Sequence, residues 1–156
     1  MQVRRVVTGH DANGKAVVAI DELSTDVVSA RKGATFNNIW STTGFPVDNA
    51  TAADGAKEIT ATTREDGTVF RVIEFAPGVT PRNHRTNSID YAVVLSGQID
   101  MELDDETVHL QAGDVLVQRG TVHNWINGYN RPCVIAFVLI AARPVKSKDG
   151  SLEAFG

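Results

Sequence analysis

Residues 78–97 read GVTPRNHRTNSIDYAVVLSG, and residues 113–127 read GDVLVQRGTVHNWIN. Each stretch carries one histidine, His84 or His123, a few residues after a glycine and next to a segment rich in β-branched residues. Glycines between β-type segments predict tight turns between short strands. A sheet that closes on itself can then bring the two histidines together in its interior.

Short β-type segments recur along the whole chain, and no long stretch has a convincing helical periodicity. Residues 3–8 and 15–21 flank an Asn13-Gly14 turn and predict an N-terminal β-hairpin. Many short antiparallel strands with regular turns are typical of an all-β sandwich or barrel. The other predicted strands are residues 35–41, 68–75, 91–95, 98–103, 107–110, 114–118 and 133–141.

Two segments do not read as strands. Residues 42–56 are too long for a simple hairpin, so we expect a flexible cover or a functional lid there. The polar tail, residues 144–156, is predicted to be loosely held, with room for a short helix.

The composition is that of an ordinary globular protein, with 42% hydrophobic and 22% charged residues among 156. A chain of this length can close one hydrophobic core, so we expect a single domain over residues 1–156. The net charge of -4 gives no reason to expect nucleic acid or an anionic membrane as a partner. Basic residues are scattered, and the pairs Arg4-Arg5 and Arg31-Lys32 are predicted to be solvated surface residues.

Nothing in the sequence predicts export or membrane insertion. No apolar run approaches the roughly 18 to 20 residues of a spanning helix. The first residues lack the apolar stretch and cleavage site of a signal peptide. The single cysteine, Cys133, adjoins an apolar run and is predicted to be buried as a small hydrophobic residue. We therefore expect a cytoplasmic protein.

The order of these glycines and histidines resembles the two signature motifs of the cupin superfamily. In the first motif Gly78, His84 and Gly97 are in register, whereas Thr86 stands in place of the family's second histidine and Asp90 in place of its glutamate. In the second motif Gly113, Gly120, His123 and Asn127 match. The segment between its two glycines is one residue shorter than in the family. Arg119 precedes Gly120, near the position at which the family has a proline.

The resemblance implies a fold and an assembly. The expected fold is all-β: a double-stranded β-barrel, or jelly roll, with an N-terminal β-hairpin arm. Residues 68–141 would form the barrel core, and residues 1–67 the arm and the loop region. Because members of this superfamily often pair through such arms, a homodimer is implied as well.

The resemblance also implies a candidate metal site. His84, His123 and Asp90 would form two imidazoles and a carboxylate, the facial set used by non-haem iron, with zinc, nickel and manganese as other options. Thr86 is a poor replacement ligand. The sequence leaves open whether a divalent transition metal is bound at all.

The same three residues support chemistry without a metal. A neutral histidine accepts a proton near pH 7, and a buried carboxyl group acts as an acid or base when its pKa is raised. His84 or His123 as base, with Asp90 as partner acid, would make a lyase (dehydratase) or an isomerase acting on a carbonyl- or hydroxyl-bearing metabolite. A non-haem iron dioxygenase and a non-catalytic small-ligand-binding protein are the alternatives.

Several other residues are weaker candidates for the site. Trp125 follows His123 by two residues, so a strand places both on one face, and Trp125 is predicted to contact substrate. Thr86 and Trp40 are predicted to contact substrate as well, Trp40 near the start of the long loop. Arg71 and Glu74 have opposite parity on one predicted strand, so one of the two should face inward.

Overall fold

The computed structural model describes residues 1–156 apart from the side chain of Ala30. The chain is all-β, as predicted, and no helix among its described residues could cross a lipid bilayer. The strands are β1 (Arg4–His10), β2 (Ala16–Leu23), β3 (Val27–Arg31), β4 (Ala34–Thr43), β5 (Gly67–Phe75), β6 (Ser88–Ser96), β7 (Gln98–Glu102), β8 (Thr107–Gln111), β9 (Val115–Arg119), β10 (Asn124–Ile126), β11 (Cys133–Ala141), β12 (Val145–Ser147) and β13 (Gly150–Leu152).

Two facing sheets enclose the core. The larger has the strand order β3-β4-β5-β11-β6-β9, and the smaller has the order β10-β7-β8. Trp125 of the smaller sheet packs between Phe75 and Phe137 of the larger, with both pairs of ring centroids 5.7 Å apart. Strands β5, β11 and β6 alternate buried with less buried residues, so one face of each lines the interior.

The strands that sequence patterns missed are short or lie at the edge of a sheet. Strand β10 has three residues, and β3 is the edge strand beside β4. In the tail, β12 and β13 pair around a turn in which Gly150 has a φ of 125°. Phe155 then forms a backbone bridge to Arg85, so the tail packs against the body and contains no helix.

The N-terminal hairpin is anchored by an arginine that the sequence placed on the surface. Arg5 is only 3% exposed, which corrects the prediction of a solvated Arg4-Arg5 pair. Its guanidinium donates to both carboxylate oxygens of Asp54, at 2.6 and 2.8 Å, and to Glu22 at 2.5 Å. Strand β1 turns Arg5 inward toward the long loop and Arg4 outward to Asp21.

We expect Arg5→Ala to lower the free energy of unfolding by about 2 to 3 kcal/mol, because it leaves the partly buried Asp54 carboxylate without its partner. Chemical denaturation at pH 7 measures the change. Arg4→Ala is the matched control, since the Arg4–Asp21 pair is exposed and should contribute little. Equal effects of the two substitutions would contradict a structural role for Arg5.

Candidate active site

The two motif histidines lie side by side. His84 and His123 form an isolated antiparallel bridge, in which each backbone N–H donates to the other's carbonyl, at 3.1 and 3.0 Å. Their ring centroids are 4.2 Å apart and the rings are tilted by 50°. Both are buried, at 9% and 4% exposure. The structure therefore brings together two imidazoles that are distant in sequence.

Hydrogen bonds define which ring nitrogen carries the proton. The Nδ1 of His84 lies 3.1 Å from the carbonyl oxygen of Arg82, and that of His123 lies 3.1 Å from the carbonyl oxygen of Thr121. A carbonyl only accepts, so Nδ1 is the protonated nitrogen in both rings, and each Nε2 keeps a lone pair. Burial lowers the pKa of His84, and lowers that of His123 to about 4 with a further contribution from His84. Both imidazoles are neutral at pH 7.

Gln118 is a neighbour of this pair that sequence reasoning missed. It lies opposite Asp90 on the paired strands β6 and β9, and its amide is 3.1 Å from Nδ1 of His123. Because that nitrogen is a donor, the amide oxygen should face it. The oxygen, as placed, has no partner among the described residues, whereas the nitrogen contacts the carbonyl and hydroxyl oxygens of Thr121. Rotating the amide gives the oxygen a partner in His123 and takes the Thr121 contacts from the nitrogen. Gln118 thus helps to fix the ring of His123.

Asp90 is the carboxyl group of the site. It is 5% exposed, and Ser88 Oγ donates to its Oδ1 at 2.5 Å. Burial raises the pKa of Asp90 to about 6, although the Ser88 hydrogen bond acts in the opposite direction. Thr86 contacts Ser88, with 2.8 Å between the hydroxyl oxygens, so it reaches Asp90 only through that serine.

A cavity of about 50 Å³ joins these groups. Trp125 meets the ring of His123 edge-on, with centroids 5.8 Å apart. Thr62 reaches the wall from the long connection between β4 and β5. The lining residues are Arg31, Phe36, Thr62, Arg71, Ile73, Phe75, Arg82, His84, Asp90, His123, Trp125, Phe137 and Leu139.

Two residues that were predicted to contact substrate do not line this cavity. Trp40 and Thr86 are not among the described residues that line the cavity. The strand register shifts by one residue between Asn38 and Trp40, so Trp40 pairs with Phe70 rather than with an inward residue. The ring of Trp40 instead packs close to Gly55, where an added Cβ would lie 2.8 Å from it.

Three arginines line the same cavity, and sequence reasoning singled out only Arg71. Arg71 is 4% exposed, so it is the inward-facing member of the Arg71 and Glu74 pair. Arg31 is partly buried and lines the cavity, which corrects the prediction that it is a solvated surface residue. Arg82 comes from the loop before His84 and gave no periodic signal.

The residues present do not fit a three-ligand metal centre. No group of three or more His, Cys, Asp and Glu side chains in the described part of the chain is arranged to hold a metal ion. The histidine pair offers two Nε2 lone pairs, but Asp90 is bonded to Ser88 and three guanidinium groups line the cavity. Their positive charge opposes a cation.

Comparison with known proteins gives a consistent family. The Cupin domain family model matches residues 71–140. The cupin-domain-containing oxidoreductase fogC of Aspergillus ruber is 36% identical, and the alignment covers 99% of this chain and 80% of that protein. The phomopsin biosynthesis cluster protein C' of Diaporthe leptostromiformis is also 36% identical, over 95% of this chain and 82% of its own.

A solved structure supports the fold. AerE from Microcystis aeruginosa superposes with a TM-score of 0.52 at 16% identity, over 83% of this chain and 51% of that chain. At this identity the likeness concerns the fold alone. The cupin family match and the two facing sheets confirm the predicted jelly roll.

Proposed function

Because the chain belongs to the cupin family, we propose that its cavity is the active site of an enzyme that acts on a small carbonyl- or hydroxyl-bearing molecule by acid–base chemistry. The observation that carries the proposal is that one cavity is lined by two neutral imidazoles and by a buried carboxyl group whose pKa is raised to about 6. Groups of this kind exchange protons near neutral pH.

His84 is the proposed base. Its Nε2 lone pair is free because Nδ1 donates to Arg82, and the pKa of His123, at about 4, makes that ring the weaker base. The His84 nitrogen takes a proton from the carbon next to a carbonyl group. The electron pair of the broken C–H bond moves to the carbonyl oxygen, which receives a proton from the protonated form of Asp90, the form that prevails below its pKa of about 6.

Return of a proton to a different carbon gives an isomerase. If instead a hydroxyl group of the substrate takes up a proton and leaves as water, the enzyme is a dehydratase. Both outcomes begin with the same C–H cleavage, so we propose a lyase or an isomerase. The buried wall of Phe137, Leu139 and Trp125 keeps bulk water away from the reacting carbon.

Deuterium exchange tests this first step directly. Butanone and 2-oxobutanoate both carry exchangeable protons on the carbon next to a carbonyl, and ¹H NMR in D₂O follows their loss. We expect the protein to accelerate exchange of at least one of them beyond the buffer rate. Binding without any exchange would favour the alternative of a non-catalytic ligand-binding protein.

The name of the Aspergillus ruber relative favours oxidation–reduction as the second candidate. Oxygen uptake by protein containing stoichiometric iron, purified without added metal, would support it and would overturn the conclusion that the cavity does not fit a metal ion. That reaction changes the oxidation state of the product, whereas exchange does not, so mass spectrometry of the products separates the two candidates.

We also propose that two copies of the chain pair through the outer face of the larger sheet. Exposed apolar side chains on neighbouring strands form that face: Tyr91, Val93 and Leu95 on β6, and Val115 and Val117 on β9. Burying this face against a second copy would remove apolar area from water.

We expect the native protein to sediment as a dimer and Val117→Lys to sediment as a monomer, because a buried lysine without a partner opposes association. Analytical ultracentrifugation provides the measurement. Val108→Lys on β8 is the control, since Val108 is exposed elsewhere. A native monomer, or a Val117→Lys dimer of unchanged affinity, would refute this interface.

A further inference from the structure

Positive charge is concentrated where the proposed substrate must sit. Arg31, Arg71 and Arg82 line one cavity, and Asp90 is the single carboxyl group among its described lining residues. None of the ion pairs in the described part of the chain involves any of the three arginines. Arg31 and Arg71 therefore have no ion-pair partner among the described residues, whereas the Arg82 guanidinium donates to the main-chain oxygen of Gly156.

Two of these guanidinium groups have buried nitrogens without partners. Nη1 of Arg31 and Nε of Arg71 are both inaccessible to solvent and make no hydrogen bond to any described residue. Arg71 donates through Nη2 to the carbonyl of Ala61 at 2.9 Å and lies over the Phe36 ring at 5.4 Å. These neutral contacts hold the side chain in place but leave its charge uncompensated.

An uncompensated buried charge is costly, so a purely structural role accounts poorly for it. Burial lowers the pKa of Arg71 to about 10, which leaves the group charged at pH 7. A guanidinium suits a carboxylate better than any other common group, because its donors match the two oxygens. Such an anion would supply the missing partner.

The strand register separates the arginine from the acid–base groups. Arg71 and Ala92 both pair with Phe137 on β11, whereas Asp90 pairs with Leu139, the next inward residue. Strands β5 and β6 are thus two spacings apart, roughly 10 Å. A molecule anchored at Arg71 can therefore extend across the apolar wall toward Asp90 and the histidines.

We propose that the cavity binds a small organic carboxylate with a short apolar body, held at its charged end by Arg71. This anion is the substrate of the acid–base reaction above, so the assignment rests on that proposed function. The rest of the wall suits an apolar body: Phe36, Ile73, Phe75, Trp125, Phe137 and Leu139. The volume of about 50 Å³ has room for only a few water molecules, which favours a short chain.

Butanoate and butanamide test the assignment, since they differ in charge and little in shape. Ligand-observed NMR titration in a buffer of constant ionic strength gives both dissociation constants. We expect butanoate to bind at least about tenfold more tightly than butanamide. Equal affinities for the two would overturn the proposal.

Arginine variants identify the group responsible. Arg71→Met should weaken butanoate binding about tenfold or more and leave butanamide binding unchanged. Arg71→Met should unfold at the same or a higher temperature than the native protein, because it removes an unpaired buried charge. Arg119→Met, which removes an exposed arginine from β9, should change neither ligand. Unchanged butanoate binding in Arg71→Met would overturn the proposal.

The exchange assay separates this assignment from the proposed function. Catalysed exchange of butanone without arginine-dependent butanoate binding would refute the anion site and leave the acid–base function standing. Arginine-dependent butanoate binding without exchange of butanone or 2-oxobutanoate would support the anion site and refute the reaction. Faster exchange of 2-oxobutanoate than of butanone, lost in Arg71→Met, would support both.

Discussion

His84→Gln should reduce protein-catalysed deuterium exchange of 2-oxobutanoate about 10²- to 10⁴-fold, the usual contribution of a general base. Glutamine fills similar space but has no basic nitrogen. Neutral His84 offers its free Nε2 because Nδ1 is bonded to the carbonyl of Arg82. The substitution therefore removes the proton acceptor and keeps a polar side chain in the cavity.

His123→Gln should reduce the exchange as well, by a smaller factor, because the ring of His123 packs against that of His84 and does not itself take the proton in the proposed step. The two losses should not add in the double variant, since the rings act as a unit. His109→Gln is the control, because His109 lies on the exposed strand β8 and contacts Asp100 and Tyr129. Exchange rates that are unchanged in both cavity variants would refute the acid–base proposal.

Asp90→Asn should raise the free energy of unfolding by about 3 kcal/mol at pH 7. The pKa of Asp90 is about 6 in the folded protein against 3.8 as its ordinary value, and each unit corresponds to about 1.4 kcal/mol. The folded state therefore binds the proton more tightly than the unfolded state. Ionising this buried carboxyl group costs stability, and asparagine avoids that cost.

The sign of the pH dependence follows from the direction of that shift. The penalty is absent below the unfolded pKa, grows as pH rises from 3.8, and is complete above about 6. The advantage of Asp90→Asn should therefore shrink from about 3 kcal/mol at pH 7 to about 1 kcal/mol at pH 4.5. His84 and His123 titrate in both proteins, so their effect largely cancels in the comparison.

Urea denaturation of both proteins at the two pH values measures this difference. Asp105→Asn is the matched control, because Asp105 is exposed and should show no comparable gain. A gain of equal size at both pH values would mean that titration of Asp90 is not its cause. Loss of stability in Asp90→Asn at pH 7 would contradict an uncompensated carboxylate.

The sequence could predict the structural features that follow from a repeating or alternating pattern of residues. Glycine-punctuated strands predicted the all-β fold and the N-terminal hairpin, and strand parity placed Trp125 on the same side as His123. Parity also showed that either Arg71 or Glu74 faces inward, and the structure selects Arg71. These features depend on local periodicity, which a single sequence displays.

The rest depends on contacts between distant segments. The inward position of Arg31 comes from an edge strand of five residues that pairs with β4, and adjacent Lys32 made the pair resemble a solvated surface. Trp40 turned away from the cavity because the register of β4 shifts by one residue. No periodic pattern marks such a shift beforehand. The guanidinium groups of Arg31 and Arg82 were missed from sequence because neither lies on a strand with a readable alternation.

The backbone bridge between His84 and His123 also determines how the site can move. The two histidines are joined by one reciprocal pair of backbone N–H···O hydrogen bonds. Displacement of either chain segment therefore moves both rings together. A ligand that displaces one ring must therefore displace the other ring as well. Ligand binding at the histidines would then couple movement of the loop that follows β5 to movement of β10, the strand that pairs with β7.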